Sequence, residues 1–117
     1  MVKGEAVRKE IIEYSGNPAV TLIPCDLASL RSVRNLAQRF AQLGRPLSLL
    51  INNAGVAITK AERTEDGLEV NMAVNFCAHY VLVESLMPIL AKTPDSVYGC
   101  RIVNITSASF YSGTNAL

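Results

Sequence analysis

The apolar positions of this chain follow two patterns, helical spacing and short continuous runs. Helical spacing appears first in residues 4–14, where apolar side chains alternate with lysines and glutamates and the turn-forming residues 15–18 follow. A clearer helical stripe follows in residues 26–44, for which Ser29 is the predicted N-cap and Gly44 the predicted end. The apolar members of this second stripe are Leu30, Val33, Leu36, Phe40 and Leu43.

A third helical segment, predicted for residues 66–91, is more apolar than the other two. Between residues 72 and 83 only Asn75 and His79 interrupt it, which predicts a helix buried on most sides. The two polar residues are four apart and therefore share a face. A lone histidine there is best explained as a hydrogen-bonded core residue, whereas the Asn75 amide needs partners that a polar pocket would supply. Pro88 is predicted to kink or end this helix.

Three continuous apolar runs, at residues 19–25, 46–52 and 100–107, predict short buried strands. The element order is then helix-strand-helix-strand-helix-strand, with a polar loop at residues 57–65 and a loop-like tail at 108–117. Continuous apolar strands that alternate with helices indicate an α/β fold with a doubly wound parallel sheet covered on both faces.

The composition fits one packed domain. The chain has 117 residues, of which 50% are hydrophobic and 18% charged, and its formal net charge is +1. That charge, without clustered lysines or arginines, argues against a nucleic-acid partner. No apolar run approaches the roughly 20 residues of a membrane span, and the N-terminal residues show no signal-peptide core. We therefore expect a place in the cytoplasm or on the cytosolic face of a membrane.

The three cysteines, Cys25, Cys77 and Cys100, form no close pair. An odd count without C-x-x-C spacing or nearby histidines argues against a disulfide framework and against a zinc site. We expect three buried thiols and no metal.

Each predicted strand turns polar at its carboxyl end, with Asp26 at the end of the first, Asn52 and Asn53 at the end of the second, and Thr106 and Ser107 at the end of the third. In open parallel sheets ligands bind at this edge, so the three strand ends together predict a site. Purely structural roles are the alternative for each residue. The aspartate would cap a helix, the amides would satisfy loop backbone, and Ser107, like Ser109, would be a turn residue.

Five stretches of the sequence, by their residues and by their order and spacing along the chain, resemble the short-chain dehydrogenase/reductase family. Two are the strand ends "LLINNAG" and "RIVNITS", and three others resemble the branch that contains retinol dehydrogenases and the WW-domain oxidoreductase. These three are "CDLASLRSV", "RTEDGLEVNMAVN" and the Asn-x-x-x-His-aromatic pattern of residues 75–80. The resemblance implies a Rossmann-like fold and hydride transfer between nicotinamide and an alcohol or carbonyl, of a retinoid, steroid or other lipid. It implies NAD or NADP as cofactor and favours NADP.

The resemblance also implies which residues would contact the cofactor. Asp26 would accept from the adenine amino group, with the backbone of Leu27 beside it. Asn53, Ala54 and Gly55 would lie under the adenosine ribose, where small residues let backbone approach the cofactor closely.

The implied catalytic residues are Asn75, which would hold a water in the proton relay, and Ser107, which would hydrogen-bond the substrate oxygen. In the family a Tyr-x-x-x-Lys pair provides the acid/base, and a Gly-rich loop binds the pyrophosphate. Neither motif occurs in these 117 residues, and Tyr111 lies too close to Ser107 to replace the tyrosine.

In the family's strand order, the strands at residues 46–52 and 100–107 are neighbours, whereas the strand at 19–25 pairs with one that these residues do not include. We therefore expect residues 1–117 to form a single, incomplete NAD(P)-binding Rossmann-like domain that is inactive when isolated. The alternative is a truncated, non-catalytic interaction module that binds a full-length paralogue. A homo- or heterodimer would then form through the helix at residues 72–90.

Overall fold

The chain forms helices and two short strands in a computed structural model that describes residues 2–93 and 99–107. The helices are α1 (Val2–Ser15), α2 (Leu30–Gln42), α3 (Val70–Met72) and α4 (Ala78–Leu90), and the strands are β1 (Leu49–Asn52) and β2 (Arg101–Asn104). A π-helical turn, Ala73–Cys77, joins α3 to α4, and the three parts together are called the long helix, Val70–Leu90. The tail predicted for residues 108–117, with Ser109 and Tyr111, lies outside the described residues.

Helix α2 begins and ends where its sequence predicts. The Ser32 N–H donates to Oγ of Ser29 at 3.3 Å, and Gly44 follows the helix with a φ of +62°, a conformation that glycine adopts without strain. The loop before the long helix also contributes to this N-terminus, because Leu30 N–H donates to Oδ2 of Asp66 at 2.9 Å. A carboxylate is favourable there because the first N–H groups of a helix have no partner within it.

The long helix begins later than predicted, at Val70 rather than at residue 66. Asp66 is bound to α2, and Glu69 is the N-cap instead, since its carboxylate accepts from the N–H groups of Asn71 and Met72 at 3.0 and 2.8 Å. Pro88 does not end the helix, because α4 continues through it to Leu90.

Strands β1 and β2 pair in parallel, in a register that sets Leu49 beside Arg101 and Asn52 beside Asn104. This confirms the predicted neighbours, although both strands are shorter than predicted. The strand predicted for residues 19–25 was wrong, because that segment has no regular structure. A strand is stabilised by backbone hydrogen bonds to a neighbouring strand, and the only strand ladder among residues 2–93 and 99–107 joins β1 and β2.

The core lies where α2 packs against α4. Its buried members are Val33, Ala37, Ala78, Leu82 and Leu86. Leu50 packs against this cluster from one face of the sheet, whereas Leu49, Ile51 and Val103 of the strands are exposed. The arrangement is α/β with a two-stranded parallel sheet, a partial Rossmann-like fold.

The long helix is not buried on most sides, contrary to the prediction from its composition. Its buried stripe faces α2, while a second apolar stripe stays exposed. The members of this second stripe are Met72, Phe76, Tyr80 and Met87, with exposed fractions of 50%, 58%, 58% and 43%. By length and composition alone Val70–Leu90 could cross a membrane, a criterion that core helices of soluble proteins also meet.

The prediction of three buried thiols was also wrong. Cys25 and Cys77 are half-buried and Cys100 is exposed. Cys100 lies just before β2, at the end of the sheet opposite the polar strand ends, where its Sγ is 3.9 Å from the Thr93 carbonyl.

Candidate functional site

The two asparagines at the end of β1 have different surroundings. Asn52 is buried, and its Nδ2 donates to Oδ1 of Asn104 at 2.8 Å across the strand pair. The Asn52 carbonyl also accepts from the N–H of Ile105 at 2.9 Å. Asn53, the next residue, is exposed. Successive residues of a strand point to opposite faces, so the first amide joins the strands and the second is available to a ligand.

A cavity of about 1080 Å³ opens at this edge of the sheet. Its wall includes the residues after β1, the residues after β2, and one side of the long helix. The predicted site residues in this wall are Asn53, Ala54, Gly55, Asn75 and Ser107. The fold therefore brings five of the seven predicted site residues to one cavity.

Asn75 is bound to the loop that follows β1. Its Oδ1 accepts from the N–H of Val56 at 2.8 Å, and its Nδ2 donates to the Val56 carbonyl at 2.9 Å. Gly55 lies so close that a Cβ built on it would be 3.3 Å from Oδ1 of Asn75. The polar partners predicted for the Asn75 amide are thus the backbone N–H and carbonyl of Val56, in the loop after β1. Asn75 also lies in the π-helical turn, a feature frequent at functional sites.

His79 lies one turn further along the same side of the long helix. It is half-buried and lines the cavity beside Phe76 and Tyr80. The sequence predicted a core histidine, whereas the structure places it in the cavity wall.

Asp26 and Leu27 do not line this cavity. Asp26 lines a second cavity, of about 710 Å³, together with Ser29 and Glu65. Its Oδ1 accepts from the N–H of Ala28 at 2.9 Å, which is a local turn rather than a helix cap. The Leu27 side chain packs against the α2–α4 core. Their proposed contacts with adenine stay predictions.

Asn71 and Glu69 are part of the site's support, and the sequence reading missed both. Asn71 binds Ile58 as Asn75 binds Val56, through Oδ1 and Nδ2 at 2.8 Å each. Hydrogen bonds from the backbone N–H groups of Asn71 and Met72 hold the pKa of Glu69 below its ordinary value. The available signal was the four-residue spacing of Asn71 and Asn75, which places both on one face.

These contacts join the ends of two parallel strands to a helix through a small-residue loop. The family model for short chain dehydrogenases matches residues 2–115. The chain belongs to the short-chain dehydrogenase family.

Among its relatives in this family, mouse polyprenol dehydrogenase is 42% identical over 112 residues, which cover 96% of this chain and 33% of that protein. Human retinol dehydrogenase 11 is 37% identical over 95% of this chain and 34% of its own length. The chain thus spans about a third of these relatives. A blue fluorescent protein from a metagenomic library, solved in complex with NADPH, superposes with a TM-score of 0.66 at 32% identity, covering 94% of this chain and 42% of that one.

Proposed function

We propose that this chain provides the ribose-binding loop and the substrate-oxygen contact of an NAD(P)-dependent oxidoreductase that interconverts an alcohol and a carbonyl. One observation supports this most strongly. Asn53, Ala54 and Gly55 line the same cavity as Asn75 and Ser107, although they lie on three separate segments. Residues 1–117 would be part of a single domain, in the cytoplasm or on the cytosolic face of a membrane.

The residues around the cavity fit part of a dinucleotide. Ala54 and Gly55 are small, exposed and at a strand end, so a ribose can approach their backbone, and the Asn53 amide can donate and accept hydrogen bonds there. The nicotinamide would supply or accept the hydride. Ser107 would donate its hydroxyl hydrogen to the substrate oxygen, which stabilises the negative charge that develops there. Asn75 would hold a water in the proton relay and would also keep the loop after β1 in place.

The proposed substrate is a lipid alcohol or the matching carbonyl compound. Two relatives are named for polyprenol and retinol, which are long apolar alcohols. In this chain, Phe76, Tyr80 and Val83 form an apolar wall that continues from the polar end of the cavity. NADP is the preferred cofactor of this proposal, because a structural relative was solved with NADPH.

A titration of the ¹⁵N-labelled chain with NADPH, followed by NMR, tests the proposal. We expect saturable shifts at the amides of Asn53, Ala54 and Gly55. The Asn53→Ala variant should bind less tightly, whereas Gln38→Ala, which removes an exposed amide on α2, should bind as the parent does. No shift near β1 at millimolar NADPH would contradict the proposal.

One observation favours a second role, as an interaction module. The exposed stripe of Met72, Phe76, Tyr80 and Met87 is an apolar surface that a second copy of this chain or a full-length paralogue would cover. Sedimentation velocity of the parent and of a Phe76→Ser/Tyr80→Ser variant tests this idea. A concentration-dependent dimer that the variant loses would support it, and a parent that stays monomeric and binds no paralogue would exclude it.

A further inference from the structure

Two carboxamides on the long helix each bind both backbone polar groups of one residue in the loop after β1. Asn75 exchanges hydrogen bonds with Val56 at 2.8 and 2.9 Å, and Asn71 exchanges them with Ile58 at 2.8 Å in both directions. We call Asn71 and Asn75 the amide pair. Each amide thereby replaces the neighbouring strand that an extended loop residue would otherwise need.

The spacing of the amide pair matches the loop. Residues four apart on a helix rise by about 6 Å, and residues two apart in an extended segment are separated by about 6.6 Å. The order is antiparallel, since the later helix residue, Asn75, binds the earlier loop residue, Val56. Two amides at this helical spacing can therefore hold two alternate loop residues at once.

Glu69 fixes which way the Asn71 amide points. Oε1 of Glu69 accepts from Nδ2 of Asn71 at 2.7 Å. An ionised carboxylate only accepts hydrogen bonds, so the amino group of Asn71 must lie toward Glu69. The second hydrogen of that group then reaches the Ile58 carbonyl, and Oδ1 faces the Ile58 N–H. The helix N-cap and the loop contact are thus parts of one network.

We propose that Asn71 is a positioning residue for cofactor binding, in addition to Asn75. Val56 and Ala57 line the cavity between the ribose-binding residues and Ile58, so Asn71 holds the outer end of the cavity loop and Asn75 its inner end. When the outer end is released, the loop gains freedom that binding must remove again, and cofactor affinity falls. This inference rests on the proposed function.

Amide hydrogen exchange in the intact 117-residue chain tests the contact itself. Asn71→Leu removes both hydrogen bonds at similar size and should speed exchange of the Ile58 amide about tenfold. Asn75→Leu should instead speed exchange at Val56. Thr93→Val is the matched control, because Thr93 also binds a backbone N–H, that of Leu47 at 2.9 Å, but at the opposite end of β1. Thr93→Val should lower the free energy of unfolding. The exchange rate of the Ile58 amide, compared with the rates of amides in the α2 core, should stay the same.

NADPH titration of the same variants tests the positioning role. We expect Asn71→Leu to raise the Kd for NADPH at least threefold and Thr93→Val to leave it unchanged at a comparable loss of stability. Faster exchange at Ile58 with an unchanged Kd would overturn the positioning role and leave the proposed function intact. Unchanged exchange at Ile58 would overturn the contact. No NADPH binding by the parent would overturn the proposed function and with it the role of Asn71, whatever the exchange shows.

Discussion

Asn52 and Asn104 lie directly opposite each other at the carboxyl ends of β1 and β2, and Nδ2 of Asn52 donates to Oδ1 of Asn104 at 2.8 Å. Asn52 is only 3% exposed, so its amide has little access to water when this partner is removed. The strand end thus uses one amide to join the sheet and leaves the following one, Asn53, exposed at the cavity.

Because the Asn52 amide joins the strands and Asn53 is exposed at the cavity, substitutions of Asn104 and of Asn53 should differ in their effects on stability and on cofactor binding. Asn104→Ala should lower the free energy of unfolding by about 1–3 kcal/mol, because it leaves a buried donor unpaired. Asn53→Ala should change stability by less than about 0.5 kcal/mol, as is usual for exposed positions, but should weaken NADPH binding. Urea unfolding and an NADPH titration measure the two effects. Equal losses of stability in both variants would contradict the assignment.

Substitution of Gly55 should be destabilising, because this residue lies so close to Asn75. A Cβ at this position would lie 3.3 Å from Oδ1 of Asn75, closer than ordinary van der Waals contact. We expect Gly55→Ala to displace the amide, speed hydrogen exchange at Val56 and lower stability by about 1 kcal/mol. In the Asn75→Ala background the same substitution should cost less, since the crowded atom is gone. Additive effects in this double-mutant cycle would show that the two residues do not interact.

The pKa of Glu69 predicts a change of stability in acid. Because its folded-state pKa is lowered, Glu69 contributes stability that is complete above its ordinary pKa of 4.5 and is lost as pH falls through the folded value. Asn71 should lose a hydrogen-bond acceptor in the same interval. Glu69→Gln should remove this part of the pH dependence, which urea unfolding at several pH values measures. An identical pH profile in the two proteins would contradict the role of the carboxylate.

Only part of this fold could be predicted from residue patterns. The α2 stripe, its Ser29 cap and the end at Gly44 are local features, so the sequence is sufficient for them. The strand predicted at residues 19–25 was wrong because apolar content does not supply a neighbouring strand. The start of the long helix was misplaced because Asp66 caps a different helix, a contact between residues 36 apart.

The candidate site, like the fold, could be predicted only in part from the sequence. The polar strand ends and the family motifs predicted five residues that do line one cavity. Asn71 was missed because its partner is the backbone of Ile58, 13 residues away. The four-residue spacing to Asn75 places both amides on one face of the helix, but it does not identify that partner. The apolar composition of the long helix also could not show that α2 covers one stripe and leaves Phe76 and Tyr80 exposed.

Replacing a side chain by alanine should cost more stability in the buried stripe of the long helix than in its exposed stripe. Leu82 is 8% exposed within the α2–α4 core, so Leu82→Ala should cost about 2–5 kcal/mol. Phe76→Ala removes a larger side chain that is 58% exposed and should cost well under half as much in the monomer. Thermal unfolding at low protein concentration compares them. A similar cost for Phe76 would mean that this stripe is covered.

The most direct test of the central claim is hydride transfer by a chimera in which this chain replaces the matching third of mouse polyprenol dehydrogenase. The relative supplies the segments that these 117 residues lack. We predict oxidation of NADPH with a lipid aldehyde, a loss of about 100-fold or more in kcat for Ser107→Ala, and no loss for Ser85→Ala, a serine on α4 whose hydroxyl donates to the Val81 carbonyl. A folded chimera without hydride transfer, or one that Ser107→Ala leaves fully active, would contradict the account.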